Sequence, residues 1–185
     1  MTVDTWGHPT PRVLVAGLGN IFFGDDAFGS EVARRLLTDG EAVPEGVKVT
    51  DFGIRGIHLA YELLDGYDTA ILVDATPQGG DPGTVYVIEP DLDALESESG
   101  LSEAGIADAH GMDPVSVLTL FRSLGGGVGR LLVVGCEPAD TDEHMGLSAP
   151  VADAVDEAVR VIRDLVTPEP GEKNTEHSER KETPG

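Results

Sequence analysis

The chain has 185 residues, 40% of them hydrophobic, which is enough for one domain with a full core. Because 34 acidic residues face only 12 lysines and arginines, the net charge is −22, which makes nucleic acid and anionic membranes poor partners. One cysteine excludes an internal disulfide framework, and without a signal peptide or an apolar run of membrane-spanning length we expect a cytoplasmic protein.

Strand and helix patterns alternate along most of the chain. Residues 1–11 have three turn-forming residues and no periodicity, so we expect a flexible N-terminal arm. The patterns that follow predict strands at 12–17, 47–52, 69–74, 84–89 and 130–136, and helices at 27–38, 56–65, 113–124 and 148–166. From 167 to 185 prolines, glutamates and lysines replace the apolar period, which predicts a disordered C-terminal tail.

This alternation predicts a single α/β domain over residues 12–166. Its expected form is a three-layer α/β/α architecture, with a mostly parallel sheet of about five strands and helices on both faces. The link at 77–83 is too short for a helical crossover, so strand 84–89 is predicted to be antiparallel. Ser148 has the chemistry of an N-cap for the last helix, and Cys136, which ends an apolar run, is predicted to be buried and unreactive.

The loop after the first strand is the most informative segment. An apolar run ends in Gly17-Leu18-Gly19-Asn20, which indicates a buried strand entering a tight turn. Asp25 and Asp26 follow before a helical pattern begins, so the loop suits a cation better than a phosphate. We expect one of the two carboxylates to cap the helix and the other to carry chemistry.

Two nucleotide-binding motifs almost match this loop. The dinucleotide fingerprint needs a glycine where Phe22 stands. A phosphate loop needs a lysine and a hydroxyl where Asp25 and Asp26 stand, and their negative charges would repel phosphates. A nucleotide-binding α/β enzyme is therefore a disfavoured hypothesis.

Asp26, Asp74 and His110 form the candidate site. Asp74 ends an apolar strand, where an acid is costly without a partner, and Asp26 follows the first strand, which such folds place at the centre of the sheet. His110 ends a long acidic insertion, 91–111, just before a predicted helix. Two carboxylates and an imidazole suit a borderline divalent metal. His144 either lines the same edge or fixes the turn before the last helix.

Four segments, in this order, resemble the hydrogenase maturation proteases. They are Gly17-Leu18-Gly19-Asn20 with Asp25-Asp26-x-x-Gly29, then Leu72-Val73-Asp74-Ala75, Asp108-Ala109-His110 and His144-Met145-Gly146-Leu147-Ser148. The resemblance implies an endopeptidase that removes the C-terminal extension of the nickel–iron hydrogenase large-subunit precursor after nickel insertion.

By this resemblance, Asp26, Asp74 and His110 contact nickel that the precursor carries, so the enzyme has no permanent metal. Asp26 and Asp74 would be the catalytic residues of an aspartic-type peptidase. Activation of water by a carboxylate and polarisation of the carbonyl by nickel both remain open. Arg55 is a candidate to pair with an acidic element of the precursor. The alternative function is a non-catalytic nickel-delivery or assembly chaperone on the same fold.

Overall fold

A computed structural model describes residues 10–90 and 114–167. The strands in these ranges are β1 (Val13–Leu18), β2 (Val47–Gly53), β3 (Thr69–Ala75), β4 (Val85–Ile88) and β5 (Arg130–Cys136). The helices are α1 (Phe28–Thr38), α2 (Gly56–Leu63), α3 (Pro114–Ser123) and α4 (Ala149–Val166), and a 3-10 turn, Gly24–Ala27, precedes α1. The elements predicted from sequence are present, with small shifts at their ends. The predicted insertion at 91–111, most of the N-terminal arm and nearly all of the C-terminal tail lie outside the described residues.

The strands form one sheet in the order β2-β1-β3-β5-β4. Strands β2, β1, β3 and β5 are parallel, and β4 pairs antiparallel with β5, as the short link before it predicts. Strand β1 is not central as expected; β3 is the middle strand, because the chain continues past it to β5 and β4. The chain runs outward from β1 to β2 and then returns to β3, so the strand order reverses between β1 and β3. In parallel sheets this point opens a ligand crevice at the carboxyl ends of the strands.

Each face of the sheet is covered by two of the described helices, which confirms the three-layer architecture. Apolar residues of α1 and α4 pack with Ile71 and Val73 on one face. Residues of α2 and α3 pack with Ala70 and Leu72 on the other. Cys136 is buried as predicted, and burial raises its pKa to about 12. Within the described ranges, no helix has the length and apolarity needed to cross a membrane.

Gly29 lets the first turn of α1 approach the ends of β1 and β3. A Cβ atom at Gly29 would lie 2.0 Å from the carbonyl oxygen of Val73 and 2.3 Å from that of Leu18. On the facing strand, a Cβ atom at Gly17 would lie 2.3 Å from the Gly29 carbonyl oxygen. Only glycine fits such backbone-to-backbone contacts. They bring the start of α1 and the 3-10 turn before it to the strand end that carries Asp74.

Candidate active site

Asp26 and Asp74 are both at the carboxyl edge of the sheet, at the reversal between β1 and β3. Asp26 belongs to the 3-10 turn, which packs against β3. Asp74 is the penultimate residue of β3, which extends one residue beyond its predicted end, and its side chain is buried. The structure therefore brings these two segments together. The third predicted member, His110, lies outside the described residues.

Asp26 is held by the turn that leaves β1. Its Oδ2 accepts the backbone N–H of Asn20 at 2.7 Å, and its own N–H donates to the Phe23 carbonyl oxygen at 3.0 Å. Gly19 permits this turn, because its φ of 123° is a left-handed conformation and a Cβ there would lie 1.7 Å from the Asp26 carbonyl oxygen. The Gly-x-Gly-Asn pattern thus shapes the loop around a carboxylate.

Asp25 has a different role from its neighbour. It is completely buried, and its carboxylate accepts the N–H groups of Ala139 at 2.8 Å, Asp140 at 2.9 Å and Ser148 at 2.6 Å, and the Ser148 hydroxyl at 2.8 Å. Burial opposes ionisation, but these hydrogen bonds outweigh it and lower the pKa of Asp25. Asp25 therefore fastens the loop between β5 and α4 to the β1–α1 turn.

The expectation that one of the acidic pair caps the following helix is wrong. Phe23 occupies the N-cap of the 3-10 turn and Ala27 that of α1, and neither position has a side-chain cap. The buried Asp25 carboxylate accepts hydrogen bonds from the loop between β5 and α4. The Asp26 carboxylate instead accepts the N–H of Asn20. Ser148 is the N-cap residue of α4, as predicted. Its hydroxyl donates to Asp25, however, and makes no capping hydrogen bond to α4.

Glu137 is a buried carboxylate that was not among the site residues predicted from the sequence. It directly follows β5 and accepts the N–H groups of Gln78 at 2.7 Å and Gly79 at 3.2 Å, and the Tyr86 hydroxyl at 3.0 Å. The hydrogen bond from Gln78 is the main cause of its lowered pKa. Glu137 thus holds the loop that follows Asp74. The sequence pattern that indicates Asp74, an acidic residue at the end of an apolar strand, also applies to Glu137.

His144 and Arg55 both make contacts within the chain. His144 forms a backbone bridge with Phe23, and its Nε2 lies 3.1 Å from Oδ2 of Asp140. His144 therefore lies at the carboxyl edge of the sheet, beside the β1–α1 turn, and its side chain also holds the loop before α4. Both roles that the sequence suggested for His144 are present. Arg55 donates to the carbonyl oxygens of Asp51 at 2.6 Å and Phe52 at 3.0 Å, so its guanidinium is bound at the end of β2.

The ion pair with Asp140 gives a prediction for His144. The hydrogen bond to Asp140 raises the pKa of His144 above 6.5, so the pair stabilises the fold below that pH and the effect is lost as pH rises through the higher pKa. We expect Asp140→Asn to return the pKa of His144 towards 6.5, as followed by NMR titration of the imidazole nitrogens. An unchanged titration in the variant would show that the carboxylate does not set this pKa.

The candidate site lies at the carboxyl ends of the parallel strands β1 and β3, where the Asp26 turn meets the end of β3. Within 10–90 and 114–167, no three His, Cys, Asp or Glu side chains are placed to hold a metal ion. Carboxylates on these two adjoining segments have the chemistry to bind a metal that a partner presents, or to take a proton from water. The fold is that of an α/β protein with acidic residues, Asp26 and Asp74, at the carboxyl ends of its strands.

Comparison with known proteins identifies the family. The family model described as hydrogenase maturation protease matches residues 31–165. The hydrogenase expression/formation protein HupD of Rhizobium leguminosarum is 32% identical over 160 residues, covering 84% of this chain and 76% of the relative. The hydrogenase 2 maturation peptidase of a Thaumarchaeota archaeon has a TM-score of 0.62 at 29% identity, covering 83% of this chain and 97% of that one. The hydrogenase maturating endopeptidase HybD of E. coli has a TM-score of 0.64 at 25% identity, with 82% and 89% covered.

The chain belongs to the hydrogenase maturation protease family. It is therefore a peptidase of hydrogenase assembly.

Proposed function

We propose that this protein removes the C-terminal extension of the nickel–iron hydrogenase large-subunit precursor after nickel has been inserted. The observation that carries the proposal is the meeting of the Asp26 turn with the end of β3 at Asp74, in a chain of this family. A carboxylate pair at the strand reversal is placed where such folds bind their ligands. The net charge of −22 favours a cationic centre over nucleic acid as the target.

In this proposal nickel is part of the substrate. Asp26, Asp74 and His110 contact nickel that the precursor already holds, so the metal marks a loaded precursor and positions the bond to be cleaved. Strand alternation puts Asp74 on the face of Ala70 and Leu72, which α2 and α3 cover, and His110 shortly precedes α3 in the chain. That connectivity supports His110 as the third ligand.

Two routes for activating water agree with this arrangement. In an aspartic-type route, Asp26 or Asp74 accepts the proton of the attacking water. In the other, nickel polarises the scissile carbonyl and the carboxylates only hold the metal. The pH profiles of kcat and KM distinguish them: protonation of a general base lowers kcat at saturating precursor, whereas protonation of a carboxylate that only holds the metal raises KM.

We infer a cytoplasmic location for this reaction. A single, buried Cys136 with a strongly raised pKa is compatible with a reducing compartment, and it requires no oxidative folding.

The test is incubation of the purified protein with nickel-loaded and nickel-free precursor, followed by mass spectrometry of the precursor C-terminus. We expect loss of the extension only from the nickel-loaded form. Binding of nickel-loaded precursor without loss of the peptide would instead indicate a nickel-delivery or assembly chaperone. Equal cleavage of both forms would remove nickel recognition from the proposal.

A further inference from the structure

Four apolar side chains form an exposed patch beside the candidate site, here called the apolar rim: Ile21, Phe22, Phe23 and Met145. Their exposed fractions are 46%, 57%, 41% and 69%. Ile21 and Met145 line the same groove, and Phe23 forms a backbone bridge with the residue before Met145. The rim is therefore one continuous surface, built from the β1–α1 turn and the β5–α4 loop.

The fold holds the apolar rim outward. The Phe22 N–H donates to Oδ1 of Asn20 at 3.0 Å, which turns the chain so that the side chains that follow face water. The Gly24 N–H then donates to the His144 carbonyl oxygen at 2.8 Å and locks the turn to the second loop. Three consecutive exposed apolar residues are unfavourable in a free monomer, and such runs usually mark a surface that a partner covers.

The apolar rim is attached directly to Asp26. The residue before the rim, Asn20, donates its N–H to the Asp26 carboxylate, and the Asp26 N–H donates to the carbonyl oxygen of Phe23. Any polypeptide brought to this carboxylate therefore meets Ile21, Phe22 and Phe23 beside it.

Charge indicates which chemistry the apolar rim accepts. The segments 19–24 and 144–147 contain no Asp, Glu, Lys or Arg, in a chain with 34 acidic residues. The exposed side chains of the apolar rim itself are uncharged, so an uncharged apolar surface is its matching partner. The adjoining groove of about 520 Å³ is apolar at Ile21, Met145, Ala27 and Leu147, and it is also lined by the charged residues Glu31, Arg34, Arg35 and Asp51. Its volume falls in the range of about 300–1,000 Å³ that is usual for ligand pockets, which suits a short peptide stretch.

We infer that the apolar rim is the docking surface for the hydrogenase large-subunit precursor, which presents uncharged apolar side chains to it. This inference rests on the proposed function and adds the surface by which the substrate is held. The apolar rim binds the precursor equally before and during cleavage, while Asp26 and Asp74 act on the bond. Losing rim contacts therefore raises KM and leaves kcat nearly unchanged.

The experiment compares Phe22→Ser and Met145→Ser with Leu37→Ser, a control whose exposed fraction of 59% is close to that of Phe22. Leu37 lies in the last turns of α1, away from the carboxyl edge of the sheet. We expect each rim variant to weaken binding of nickel-loaded precursor about tenfold or more, with unchanged Tm and kcat, and Phe22→Leu to bind like wild type. Leu37→Ser should behave as wild type in every measurement.

Wild-type precursor binding by both rim variants would overturn the inference while leaving cleavage, and so the proposed function, intact. A wild-type protein that binds but never cleaves would instead overturn the proposed function, and the binding comparison would still test the rim. Analytical ultracentrifugation measures whether the protein itself forms a dimer through the apolar rim. A wild-type dimer that Phe22→Ser converts to monomer would show that a second copy of this chain covers the rim, contrary to the inference.

Discussion

Asp74→Asn and Asp26→Asn are each expected to slow cleavage of the nickel-loaded precursor by about 10²- to 10⁴-fold, the usual contribution of a positioned acid or base. Asparagine matches the shape of aspartate but neither binds a metal cation as an anion nor accepts a proton from water. At position 26, the amide oxygen can still accept the Asn20 N–H that the carboxylate accepts at 2.7 Å, so the turn is preserved. Mass spectrometry of the precursor C-terminus over time measures the loss.

The double variant sharpens this test. If the two carboxylates act as one unit, Asp26→Asn combined with Asp74→Asn should be about as slow as the slower single variant, because residues of one catalytic unit are not additive. Asp81→Asn is the matched control, since Asp81 is an exposed aspartate in the β3–β4 link. Normal cleavage by either single variant, with unchanged circular dichroism, would exclude that residue from the site.

The second large effect is on stability. Asp25→Ala should lower the free energy of unfolding by about 3–4 kcal/mol, because it removes a fully buried carboxylate that is the charged acceptor of three N–H groups. Those groups belong to Ala139, Asp140 and Ser148. Ser148→Ala is the graded control: it removes only the hydroxyl donor and should cost about 1 kcal/mol. Urea denaturation followed by circular dichroism measures both, and a loss within 1 kcal/mol for Asp25→Ala would contradict the role of Asp25 as an anchor.

The same anchor predicts a pH dependence. The pKa of Asp25 in the folded chain is below its ordinary value of 3.8, so the ionised carboxylate stabilises the fold above that pH. The stabilisation is lost as pH falls through the lower, folded-state pKa. We therefore expect acid unfolding of wild type below about pH 4 to be steeper than that of Asp25→Asn, which has no carboxylate at this position to protonate. Parallel acid titrations of the two proteins would be the measurement.

The sequence does not distinguish the roles of Asp74 and Glu137. Each follows an apolar run that forms a strand, and each is buried, so the cost of an unpartnered acid applies equally to both. The partners differ because of the neighbouring loops. The link after β3 turns the N–H groups of Gln78 and Gly79 towards Glu137. Asp74 instead belongs to the strand end next to the Asp26 turn.

The sequence by itself determined the order of the elements, the mostly parallel sheet and the short antiparallel strand, because these follow from local periodicity and from the lengths of the links. It also located the acidic turn at the carboxyl edge, because Asp25 and Asp26 directly follow the first strand and its Gly-x-Gly turn. Tertiary structure alone decided which member of the acidic pair is the anchor. Asp25 and Asp26 are chemically identical and adjacent. The donors that distinguish them, on Ala139 and Ser148, reach Asp25 only after β5 has paired with β3 and α4 has packed against α1. Hydrogen bonds between segments so distant in the chain depend on packing, which a linear pattern of residue types does not encode.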